Sequence, residues 1–312
     1  MVNSRVRNRM NFMHVLLSNE KFYRKLKVAF FLILALAVSI FSMSLIKKEK
    51  LPEKPFQLTV EERIWLGEFF EDFLFDSPGA YTLFGSKPVS GSCLYHKHFS
   101  EEEKKELEKY LASLPDESKR PKRHDFEANY DKWMAIKDRF PIRQYLFGEF
   151  PTFDEKTSVA LFVNIEAAIK TVVNHYEEFR RTLGYDFDPV QAIFDVQNKE
   201  SKFWNAVVKN HLLMGIMHGF GRENSYFFDQ FMKYNADNSQ IGDFFRSMPK
   251  NFSDNKDIRY QDVKNFMLPI FKTFGLFPND FLINQYETER KRIKAIYKGK
   301  DSVDVALSWL TR

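Results

Sequence analysis

The chain has 312 residues, 44% of them hydrophobic and 16% aromatic, enough to bury a sizeable core without staples. Its one cysteine, Cys93, excludes an intrachain disulfide. The formal charge of +5 is unevenly placed: residues 1–50 hold ten Lys/Arg against two acids, a net of +8, and the remaining 37 Lys/Arg and 40 Asp/Glu leave −3. A folded part of that sign argues against nucleic acid as the main partner, which would call for a basic face.

Residues 28–46 form an apolar run of nineteen residues without a charge. Arg24, Lys25 and Lys27 stand before it, and Lys47, Lys48 and Lys50 after it. As a helix rising about 1.5 Å per residue it would span roughly 30 Å, the thickness of a bilayer's hydrocarbon core. A backbone crossing lipid must satisfy its own hydrogen bonds, so the run is expected to be one transmembrane helix, with the lipid bilayer as its partner. A cleavable signal peptide is the rival reading, with Ser42 and Ser44 as small residues before the cut. Its basic leading region of 27 residues would be unusually long. Seven Lys/Arg precede the run and five fall in residues 47–66, which favours a cytoplasmic N-terminus. Before the run, Phe12, Val15, Leu16, Tyr23 and Leu26 allow a short amphipathic helix. The expected organisation is therefore a basic juxtamembrane segment (1–27), a transmembrane helix (28–46), a linker (47–58) holding Pro52 and Pro55, and a globular domain (59–312).

In chain order, Thr59 with Glu62 three residues later reads as a capping box opening a helix to about residue 75, with Trp65, Leu66, Phe69 and Phe73 as its core stripe. Residues 76–79 (Asp-Ser-Pro-Gly) end it. Tyr81, Leu83 and Val89 read as short strand residues around a turn centred on Gly85. Ser100 and Glu103 form a second capping box, opening a helix to about 114. A polar, basic loop follows at 115–124, then a helix over 126–140. The runs 144–147 and 157–163 are strand candidates, while 165–183 and 198–217 carry helical periodicity. Further helices are expected over 225–234, 241–247, 260–274 and 281–297. The sum is an α+β fold, predominantly helical, with a small sheet.

Three glycines fall within seven residues at 215–221. If a helix runs through residue 219, Gly215 and Gly219 share a face that lets another backbone approach, and Gly221 stops the helix in a left-handed conformation. Arg222, Glu223 and Asn224 would then offer polar groups to a ligand or partner. No strand leads into these glycines, so they are not a dinucleotide fingerprint. His211 and His218 stand seven apart among apolar residues, which favours structural histidines over a metal pair, usually spaced by four. Cys93, His96 and His98 offer three potential metal ligands, one short of a closed zinc site; no metal and no cofactor is expected. No G-x-S-x-G elbow or phosphate-binding loop is present. The basic residues 290–294 read as a solvated helix face.

Residues 79–88 read G-x-Y-x-L-F-G-x-K-P, and residues 215–224 read G-I-x-x-G-F-G-x-x-N. Together these segments resemble uncharacterised single-pass membrane-anchored proteins of chlamydia-like intracellular bacteria. The resemblance implies a bacterial membrane protein and carries no activity and no catalytic residue. Physically, Gly85 permits a tight turn, Pro88 lacks an N–H, and Lys87 would project from the turn tip. The two glycine-centred turns are expected to pack into one shared polar site, making Tyr81, Gly85, Lys87, His218, Arg222, Glu223 and Asn224 the candidate residues for a ligand or partner. The functional expectation is a non-catalytic envelope or protein-interaction module. The alternatives are a membrane-tethered hydrolase-like enzyme using Lys87, Glu223 and Asn224, and a secreted effector that inserts in a host membrane.

Overall fold

A computed structural model of the protein describes residues 56–94, 100–103, 126–153, 157–234 and 280–312, with isolated positions in 105–109 and 251–273. Residues 1–53, which include the apolar run 28–46, lie wholly outside the described part. Among the described residues no helix is long and apolar enough to cross a membrane.

The unit 54–312 is an α+β fold, mostly helical, in three layers around a small antiparallel sheet. Helix α1 (Val60–Phe70) starts at the expected capping box: Glu62 N–H donates to Thr59 Oγ1 at 3.0 Å, and Thr59 N–H donates to the Glu62 carboxylate at 2.9 Å. It widens into a π-helical turn, Glu71–Asp76, carrying Phe73, Leu74 and Phe75 into the core. Helix α2 (Ala80–Phe84) replaces the strand expected around Tyr81 and Leu83. All five of its side chains are buried, so the sequence offered no polar face from which to tell a period of 3.6 from one of 2.

Strand β1 (Val89–Leu94) follows. Helix α3 (Phe126–Ile136), with a 3-10 turn at Lys137–Arg139, leads to β2 (Tyr145–Pro151) and β3 (Ser158–Asn164). The order is β1-β3-β2, with Val89 opposite Val163 and Tyr145 opposite Asn164. The central strand β3 is buried on both faces. Ala160 and Phe162 join the core of α1, α2 and α3, where Phe73, Phe147 and Phe162 stack with centroids 5.1–6.2 Å apart. Val159, Leu161 and Val163 point the other way, into a second core.

That second core is covered by short helices: α4 (Ile165–Asn174), α5 (Tyr176–Leu183), α6 (Pro189–Phe194) with a 3-10 turn at Asp195–Gln197, α7 (Lys202–Val208) and α8 (His211–Met217). The periodic stretches 165–183 and 198–217 are therefore each two helices. His175 interrupts the first. Asn210 interrupts the second, because its side chain accepts the Leu213 N–H at 2.9 Å and starts α8 afresh. Helix α9 (Arg222–Tyr234) packs on α8. Short strands β4 (Asn251–Phe252) and β5 (Lys272–Thr273) pair antiparallel, so the described end of the helix expected over 260–274 is strand. Helices α10 (Asp280–Tyr297) and α11 (Ser302–Leu310) return to the first core through Tyr286, Ile293, Val303 and Leu307. The second capping box is present, Glu103 N–H donating to Ser100 Oγ at 3.2 Å. The helix expected over 241–247 lies outside the described residues.

Candidate functional site

The two glycine-centred segments meet. Helix α8 ends at Met217, two residues before the expected run-through, with His218 as its cap. Gly219 (φ 74°) and Gly221 (φ 80°) are both left-handed. Phe220 N–H donates to Gly215 O at 3.1 Å and Gly219 N–H to Ile216 O at 3.0 Å, the paired bonds of a Schellman stop with Gly219 as its left-handed residue. Gly219, then, ends this helix, where Gly221 was expected to. Gly215 serves the close approach expected of it: a Cβ there would stand 2.6 Å from Ser225 Oγ on α9.

On the other side, the turn from α2 to β1 is held by α10. Ser86 N–H donates to Glu289 Oε1 at 3.1 Å, and Gln285 donates to Ser86 Oγ. A Cβ on Gly85 would collide with the Glu289 carboxylate and lie 2.7 Å from Tyr81 O. Tyr81 donates to Phe266 O at 3.1 Å, and its ring meets that of Tyr286 edge-on at 5.5 Å.

Lys87 does not project from the turn tip; it is 1% exposed. Its Nζ donates to Val89 O, lies 3.1 Å from His218 Nδ1, and sits 5.3 Å above the Phe220 ring. His218 Nδ1 is also 3.1 Å from Val89 O, and its ring stacks on Phe220 at 5.4 Å. The strand ladder explains the convergence. Asn164 N–H donates to Pro88 O at 2.9 Å, so Pro88 pairs inward and the next carbonyl, Val89, points away from β3. A buried edge carbonyl needs donors, and Lys87 and His218 supply them. Tyr286 closes the junction from α10, its hydroxyl donating to Gly219 O at 3.0 Å.

Burial pulls the Lys87 amine well below its ordinary value of 10.5. Burial first, and then the neighbouring lysine, pull His218 down to about 3, the Val89 carbonyl opposing them. The junction is thus an amine and an imidazole, both favoured neutral. An amine and an imidazole within reach of each other can exchange a proton, but here both face a backbone carbonyl inside the core.

Of the seven candidate residues, Tyr81, Gly85, Lys87 and His218 converge on this junction. Asn224 is an internal tie, its amide donating to Phe220 O at 2.9 Å. Arg222 and Glu223 do not join: Arg222 reaches Glu178 of α5 at 2.5 Å, and both are half-exposed on the outer surface. Sequence reasoning missed Phe220, Tyr286 and Glu289. Gly219, with Gly215, signalled a close approach and Gly85 a tight turn, but nothing in their spacing names a helix more than sixty residues away. His211 lies at the far end of α8 between Phe153 (5.2 Å) and Phe228 (5.5 Å). Cys93 is exposed on β1, while His96 and His98 lie outside the described residues. Among the described residues no group of His, Cys, Asp or Glu could hold a metal ion. Comparison with known protein families, with curated proteins and with solved structures found no match.

Proposed function

We propose that the chain is a membrane-tethered, non-catalytic interaction module, anchored by residues 28–46 and presenting the unit 54–312 to a protein partner in the bacterial envelope. The nineteen-residue charge-free run between clusters of cations supports the anchor. One observation carries the interaction reading: α4 and α6, which pack on each other, both keep large apolar side chains exposed. Val173 on α4 and Val190 and Phe194 on α6 are 54%, 49% and 45% exposed. Val190 and Phe194 stand four apart, on one helical face. Large apolar side chains grouped on a surface mark contact sites. Among the described residues, Lys87 with His218 pairs an amine and an imidazole, and both are spent on securing the junction of two turns.

Protease protection in bacterial spheroplasts tests the anchor. External protease is expected to remove the unit 54–312 and leave a small membrane-protected fragment. Recovery of the full-length chain in the soluble fraction would overturn the reading.

A further inference from the structure

A shallow, open depression lies between the end of α4 and the turn into α6, lined by Val173, Tyr176, Asp186, Phe187, Asp188 and Pro189. Its walls are fixed. The Phe187 ring lies 5.0 Å from that of Tyr176 and 5.1 Å from that of Phe203, a buried residue of the second core. Phe187 N–H also donates to the Tyr176 hydroxyl at 3.3 Å. The charged side chains lining the groove are both acidic. Asp186 is 81% exposed, with Arg180 at 3.9 Å; Asp188 uses one oxygen to accept Gln191 N–H at 2.8 Å. The site therefore has an apolar floor, a prearranged wall and an acidic rim.

We infer that this groove docks a partner polypeptide segment carrying a large apolar side chain beside lysine or arginine, which gives the interaction module proposed above its class of partner. Charge selects among the occupants an apolar groove could take. An anionic membrane surface would be repelled by Asp186 and Asp188. A second copy joined about a two-fold axis would set the same acidic rim against itself. A cationic, apolar segment meets both the floor and the rim, and the preformed wall lowers the ordering cost of binding.

The test uses the full-length chain in nanodiscs of neutral lipid and a fluorescein-labelled peptide, Lys-Lys-Trp-Leu-Lys-Lys, with Glu-Glu-Trp-Leu-Glu-Glu as its counterpart. Saturable binding of the first peptide is expected, weakened at least tenfold by Val173→Arg and by Asp186→Lys, and unchanged by Ile64→Arg on the exposed side of α1. Equal binding of the acidic peptide, or binding that survives Val173→Arg and Asp186→Lys, would overturn the assignment. So would a fall in particle mass on Val173→Arg, since that would make the occupant a second copy. A photo-crosslinker placed at Val173 and, separately, at Ile64 in producing cells keeps the two readings apart. Adducts from Ile64 but not Val173 would sink the groove alone. Adducts from neither would sink the interaction module itself.

Discussion

Lys87 Nζ and His218 Nδ1 lie 3.1 Å apart and share one acceptor, the carbonyl of Val89. The two residues are 131 positions apart in the chain, and their contact joins the entry to β1 with the exit from α8. A charged lysine here would have a carbonyl and the Phe220 ring as partners in the junction, against a desolvation cost of several kcal/mol for a buried ion. The neutral amine avoids that cost and still donates to Val89.

Stability should therefore depend on pH through Lys87. Because its folded-state value is depressed below 10.5, the unfolded chain binds the extra proton between the two values. Stability then rises with pH across that window, with a limiting slope of about 1.4 kcal/mol per pH unit for one proton, and falls again as pH drops toward the folded value. Lys87→Met keeps an unbranched side chain, removes the proton, and leaves His218 on Val89. Denaturant unfolding of the full-length chain in detergent, followed by tryptophan fluorescence, is expected to show a midpoint that rises as pH approaches 10.5 from below for the parent and a flatter profile for Lys87→Met. Parallel profiles would mean that the amine is charged in the fold.

The two left-handed glycines of the elbow should respond differently to alanine. At Gly221 an added Cβ meets nothing within 4 Å, so the cost is left-handed strain alone, about 1–2 kcal/mol. At Gly219 the same strain applies, and the Cβ would also stand 2.6 Å from the Tyr286 hydroxyl and 3.1 Å from Pro88 Cδ. Overpacking of that kind adds roughly 1–3 kcal/mol. Gly219→Ala is expected to lower the unfolding midpoint clearly more than Gly221→Ala. Equal losses would mean that α10 does not close on the elbow.

Tyr286→Phe isolates the hydroxyl that closes the junction. It leaves the ring against Tyr81 and strips Gly219 O of a donor at 3.0 Å, for an expected loss of about 1–3 kcal/mol. Combined with Gly219→Ala, it should be less damaging than the sum, since removing the hydroxyl also relieves the clash with the new Cβ. A double-mutant cycle on the unfolding midpoints checks the sign of the coupling.

How far the sequence could be read depended on whether a signal was local. The Thr59–Glu62 and Ser100–Glu103 capping boxes, β2, β3 and helix α10 are written in short-range spacing, and the structure has them. Buried α2 carries no amphipathic contrast, so its glycine-bracketed run passed for a strand and turn. The breaks at His175 and Asn210 interrupt stretches whose apolar period continues across them. For the candidate site, the meeting of the two segments was read from their shared character as glycine-centred turns rich in polar groups. The burial of Lys87 was not, because it follows from the orientation of the Val89 carbonyl, which only the pairing of β1 with β3 sets. Arg222 and Glu223 looked like partners of the elbow by proximity in sequence, but the first turn of α9 carries them outward to Glu178 and solvent.

The opposite edge of the sheet offers the last prediction. Strand β2 is shielded by the 3-10 turn after α6, and the close contact falls at Gly148: a Cβ there would collide with Val196 O and lie 2.7 Å from Val196 Cγ2. Tyr130 fixes the same glycine from the other core, donating to its carbonyl at 3.0 Å. The strand cannot yield toward Tyr130, and the turn cannot retreat without disturbing Ile193 and Val196, both fully buried. Gly148→Ala is expected to cost roughly 1–3 kcal/mol, the range for overpacking a close-packed site. Gly91→Ala on β1 is a fair contrast, because its Cβ would stand 2.9 Å from a methyl group of Val159 and 3.5 Å from the His218 ring, side chains that can move where a backbone carbonyl cannot. Hydrogen exchange of amides in residues 189–197 should accelerate in Gly148→Ala and stay unchanged in Gly91→Ala. Unchanged exchange in both would mean that the 3-10 turn does not rest on β2.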